Sequence, residues 1–215
     1  MKGLLLKDFY MMLKYCKAHL LISLVFAAVS ATGAGNVFSL FYPVFLASMI
    51  PSMIPVTLIS YDERSGWNSY ANTLPYTRGM LVSVKYIMAL TALAVSLAIY
   101  MGGRLIGMLC TGGCNAQELL WLLGMLLSGG LIAPSVMLPV IFKFGVEKGR
   151  IAYYIVMVAT VSVLYIVLSF LTPALQESPY PSFSSVGLWV LIVAAAAIFY
   201  ISRRLSILFY QDREL

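Results

Sequence analysis

Six times along this chain an apolar stretch runs long enough to cross the hydrocarbon core of a bilayer, which takes about 17–25 helical residues. The stretches are residues 18–35, 37–60, 80–101, 119–142, 151–172 and 186–202, and the only charged or imidazole side chains inside them are His19, at the entry of the first, and Lys85, just inside the third. Hydrophobic residues make up 61% of the chain and charged ones 10%, against about 45–50% apolar usage in soluble domains. The reading is an all-α integral membrane protein, a single transmembrane domain over residues 1–215 with six transmembrane helices.

Six spans put both termini on one side, and every Lys and Arg except Arg104 falls on that side, together with the connector 61–79. The excess of positive charge makes that side cytoplasmic and leaves residues 102–118 and 173–185 outside the cell membrane. Topology and anionic lipid headgroups account for the net charge of +6, so no nucleic-acid partner is expected. The lysine-led N-terminus running into AAVSATGAG has the outline of a secretory leader. Its removal would leave five spans and spoil the charge asymmetry, so it is expected to be a retained anchor.

Residues 1–17, MKGLLLKDFYMMLKYCK, place Leu5, Leu6, Phe9, Leu13 and Cys16 on one helical arc and Lys7, Asp8 and Lys14 on the other. That pattern predicts a helix in the headgroup plane, feeding span one at an elbow. The connector SYDERSGWNSYANTLPYTRG is far longer than a turn between two spans requires. Ser60 and Glu63 fit a capping box, Trp67, Tyr70, Ala71 and Leu74 recur at i, i+3, i+4 and i+7, and Pro75 supplies a stop. A short amphipathic helix follows. It either seats its aromatic residues among headgroups or offers a docking surface to a soluble partner.

The run DERSGWNSYANTLPYTRG, followed by Lys85 and Tyr86 at the start of span three, resembles the cytosolic loop of small type-2 ABC exporter permeases, and MKGLLLKDFY is similar to the start of the same family. The resemblance covers essentially the whole chain. It implies a bacterial half-transporter whose elbow and coupling helices rest on a separate cytosolic ABC ATPase subunit, paired with a second permease copy or paralogue as a homo- or heterodimer. Carried over residue by residue, the coupling role falls on Asp62, Glu63, Arg64, Gly66, Trp67, Tyr70, Leu74, Pro75 and Arg78. The chain has no phosphate-binding G-x-x-x-x-G-K-[ST] loop. No cofactor is therefore expected on it, and ATP and Mg belong to the partner. The compact form resembles permeases that export phenol-soluble modulins and related cytolytic peptides.

Other functions fit the residues less well. Ion-coupled transporters place carboxylates in their spans, and these spans have none. Intramembrane proteases need clustered His and Glu, whereas His19 is the one histidine and Glu118, Glu147 and Glu177 lie in connectors. No catalytic residue and no metal ligand set is assigned, and the chain is read as no enzyme. A path lined by Leu, Ile, Val, Phe, Tyr and Met suits an amphipathic cargo, with lipid or antibiotic efflux as an alternative. From another class, the alternative is a non-transporting anchor that recruits a cytosolic partner through residues 61–79.

Pro43, Pro51 and Pro55 in span two, and Pro134 and Pro139 in span four, each remove an intrahelical hydrogen bond. They read as static kinks that help packing or as points where these spans bend. Outside, Cys110 and Cys114 have a spacing equally compatible with a small disulfide and with free thiols. TPALQESPYPSF reads as a semi-rigid cap over spans five and six.

Overall fold

A computed structural model of the chain describes residues 2–15, 17–31, 53–71, 73–111, 116–151, 154–155, 158 and 185–211, and among these all regular structure is helical. The helices are α1 (Lys2–Tyr15), α2 (Lys17–Ala31), α3 (53–64), α4 (Trp67–Ala71), α5 (Arg78–Thr111), α6 (Ala116–Phe144), α7 (146–151, with 154, 155 and 158 also helical) and α8 (Ser185–Gln211). Three of them, α5, α6 and α8, are long and apolar enough to cross a membrane by themselves. Residues 32–35 at the end of span one, most of spans two and five, Pro43, Pro51 and the cap TPALQESPYPSF lie outside the described residues.

α5 is the central element. It packs against α1 and α2 on one side and against α6 and α8 on the other, and α6 and α8 lie along each other. Its 34 residues are about 51 Å long, well beyond the roughly 30 Å of a hydrocarbon core. Residues 102–111, expected as outer loop, are therefore the last turns of a protruding helix. The Gly102–Gly103 pair does not end it: a Cβ at Gly103 would come within 3.2 Å of the Ala27 carbonyl oxygen, so this glycine lets α2 lie close against α5.

Two apolar clusters meet on α3. Ile54 and Leu58 join Leu4 and Met12 of α1 and Val84, Met88 and Ala92 of α5, while Val56 and Ile59 join Val82, Tyr86, Leu138, Ile141 and Tyr210 of α5, α6 and α8. The described residues of α3 are thus the keystone between the two halves of the bundle. At mid-height Leu93, Leu131 and Ala195 close the contact of α5, α6 and α8. There a Cβ on Gly130 would collide with Leu93 at 2.2 Å.

Pro134 and Pro139 lie within α6, which continues through both. A proline at 139 withholds the N–H that would serve the Ser135 carbonyl. Ser202 of α8 supplies the missing donor, its Oγ lying 2.6 Å from the Ser135 carbonyl oxygen. The Tyr86 hydroxyl of α5 completes this polar seam at 2.7 Å from both Ser202 Oγ and Ser206 Oγ. Neighbouring side chains thus satisfy the backbone group that the proline frees, which is what makes proline tolerable in a membrane helix.

Candidate functional site

The connector differs from the single capped helix expected of it. α3 runs straight through Ser60 to residue 64, so Ser60 is no N-cap. The helix stops where Gly66 turns left-handed at φ +68°, its N–H reaching back to the Glu63 carbonyl at 3.3 Å. After this break α4 makes little more than one turn over Trp67–Ala71, and Thr77 then caps α5 through its side chain, which accepts from the Met80 N–H at 3.3 Å.

The stripe read from the sequence is split by depth. Ala71 is buried, Trp67 and Leu74 are half-buried, and Tyr70 and Pro75 face outward, with Tyr70 57% exposed. The Trp67 and Tyr70 rings lie 5.4 Å apart at 52°. Behind Trp67, Lys7 places its ammonium 4.1 Å from the ring centroid, a cation–π contact that holds the indole against α1. Arg64 is exposed beside Gly66.

Asp62 points the other way. It is 3% exposed and belongs to a compact ionic cluster with Asp8, Lys7 and Lys85. Lys85 Nζ donates to Asp8 Oδ2 and Asp62 Oδ2, each at 2.6 Å, while Lys7 bonds Asp62 Oδ1 and lies 3.5 Å from Asp8 Oδ1. Asp8 is 2% and Lys85 7% exposed. Buried ions cost several kcal/mol each unless paired, and here two carboxylates and two ammonium groups cancel. The arc of α1 expected to face headgroups therefore turns inward at Asp8, in line with buried Leu4 and Met12, while Leu6, Phe9 and Leu13 are exposed. The cluster pins α1, the end of α3 and the start of α5 at one point, and Lys7 links it to α4 through the Trp67 ring.

Two further charged residues of the connector serve neighbouring helices. Arg78 donates to the carbonyl oxygens of Tyr210 and Gln211 at 3.2 and 2.8 Å, capping the C-terminal end of α8, where cations are favoured. Glu63 accepts from the Val146 N–H at 3.3 Å, at the first turn of α7. Arg150, one turn further along α7, donates to Ser60 Oγ at 2.9 Å.

Sequence reasoning named Asp62, Glu63 and Arg78 but not the partners that hold them. In the sequence Lys7, Asp8, Ser60 and Lys85 read as serving other roles, and their pairing with these residues, like Val146 and Arg150 as partners, enters only with the structure. One signal for the cluster was present: Lys85 sits inside an apolar span and calls for a carboxylate. At the far end of α5, Cys110 carries an exposed free thiol, and Cys114 lies outside the described residues. Pro55 is buried in the first described turn of α3.

Compared with known proteins, residues 3–211 match the family model described as ABC-2 family transporter protein. No curated protein matches the chain.

Proposed function

From the premise that the chain belongs to the ABC-2 family of transporter proteins, and is thus the membrane permease of an ABC transporter that works with an ABC ATPase, we propose that α4 is the coupling helix on which that ATPase docks. The observation that carries this reading is the construction of α4. An outward-facing Tyr70 and a half-buried Trp67 sit on a single turn braced from behind by Lys7, Asp8, Asp62 and Lys85. A headgroup anchor needs no such brace, whereas an element that receives a push does. ATP and Mg reside on the ATPase. Two permease copies, or one and a paralogue, form the path, and the cargo is an amphipathic molecule of the cytolytic-peptide class moved outward.

The test is retention of an ABC ATPase that co-purifies with the permease. Trp67→Ala and Tyr70→Ala remove aromatic anchors, whose loss at an interface costs about 1.4 kcal/mol or more, so association weakens roughly tenfold or beyond while insertion stays normal. Wild-type retention and wild-type export in both variants would reduce α4 to a headgroup anchor.

The orientation is checked separately. In a background lacking Cys16 and Cys114, a membrane-impermeant maleimide added to intact cells labels the exposed Cys110. A cysteine at exposed Ser65, in a background without native cysteines, reacts only after permeabilisation. Labelling of both from outside would overturn the six-span topology.

A further inference from the structure

α6 and α7 are joined through a single residue, Gly145, at φ +86°. Its N–H closes the last turn of α6 on the Ile141 carbonyl at 2.8 Å, and its own carbonyl accepts the first bond of α7, from the Gly149 N–H at 3.0 Å. Gly145 is therefore the N-cap of α7, and a glycine has no side chain with which to cap. Glu63 provides the acceptor from 83 residues away, bringing a carboxylate to the positive end of a helix. Ser60 and Glu63 lie three residues apart on α3, Val146 and Arg150 four apart on α7, so the two bonds form parallel ties between the same two helix faces. Gly149 lets α7 fold back closely on the end of α6, since a Cβ there would meet Ile141 Cγ1 at 2.4 Å and its Cα at 3.2 Å.

We infer that Glu63 is a positioning residue that acts inside the chain: with Arg150 it locks the α6–α7 hairpin to the end of α3, so that the two loops at this face of the membrane move as one body. Glu63 is three residues from Gly66 and four from Trp67 at the start of α4, and Gly145 follows directly on the last residue of α6. A displacement of α4 is thereby delivered to the end of α6 that contains Pro134 and Pro139, where missing backbone bonds make bending least costly. The lever between the docking turn and the membrane path is the Glu63 carboxylate rather than any contact it makes with the ATPase. This inference rests on the docking role proposed for α4.

The experiment places spin labels at exposed Thr73 and Lys148, in a chain without native cysteines bound to its co-purifying ATPase, and measures their separation by pulsed electron resonance without nucleotide and after trapping with ATP and vanadate. The wild-type separation is expected to be the same in both states. Glu63→Ala combined with Arg150→Ala broadens the distribution and makes it depend on nucleotide, while Glu63→Gln, which keeps an acceptor oxygen, behaves as wild type. Val146→Pro removes the donor without touching Glu63, at a helix position that accepts proline. It is expected to reproduce the loss, whereas a Glu63 that works by touching the ATPase would leave Val146→Pro indistinguishable from wild type. A wild-type separation that changes with nucleotide, or unaltered distributions in Val146→Pro and in the double variant, would overturn the inference. Absence of any co-purifying ATPase would instead count against the docking role of α4. The breadth of the distributions in the permease alone would then still decide whether the tie exists.

Discussion

Lys85→Met is expected to remove most of the folded, inserted protein, although the substitution makes an apolar span more apolar still. Hydropathy alone would favour it. The cluster decides otherwise: without Lys85, the carboxylates of Asp8 and Asp62, both nearly inaccessible, face Lys7 alone, and one negative charge is left buried. Removing one partner of a buried ion pair costs about 3–5 kcal/mol, a large share of the roughly 5–15 kcal/mol that holds a typical protein folded. The compensation is specific. Lys85→Met with Asp8→Asn returns the cluster to neutrality and keeps the direct Lys7–Asp62 bond, so it should recover more stability than Lys85→Met with Asp62→Asn, which keeps only the 3.5 Å Lys7–Asp8 contact. Thermal unfolding of detergent-purified variants reads the series. A single variant as stable as the wild type, or double variants no better than the single, would show that the charges do not act as one set.

This cluster also marks where the sequence stops being informative. Three of the expected spans are legible because bilayer thickness sets a length that the eye can count, and α5, α6 and α8 lie where those apolar stretches are. Their ends are less so. α5 continues ten residues beyond the expected boundary at 101 because nothing in GGRLIGMLCT breaks it: one of its glycines, Gly103, serves a close approach of α2. The candidate site was found by resemblance and by the aromatic stripe, yet the direction each charge faces was not recoverable. Ser60 and Glu63 satisfy a local capping pattern as well as they satisfy two bonds to α7, and only the fold chooses between them. Asp8 looks like a headgroup-facing residue until Lys85, 77 positions later, is known to lie beneath it. Long-range pairing leaves no periodic trace in a single sequence.

Ser202→Ala is expected to destabilise the α5–α6–α8 seam by about 1–3 kcal/mol, the penalty for leaving a buried polar group unsatisfied. Two groups lose a partner. The Tyr86 hydroxyl retains Ser206, but the Ser135 carbonyl loses the donor that stands in for the N–H absent at Pro139. Average side-chain hydrogen bonds between membrane helices are worth only about 0.6 kcal/mol, because the separated helices find other partners; a carbonyl stripped of its own helical donor has fewer. The argument is checked by a cycle with Pro139→Ala, which restores a backbone N–H to the Ser135 carbonyl. In that background Ser202→Ala should cost little, and the difference between the two costs measures what the proline makes Ser202 do. Equal costs with and without Pro139 would mean that Ser202 stabilises the seam through Tyr86 alone. A vanishing cost in both backgrounds would mean that α6 relaxes around the proline without help from α8.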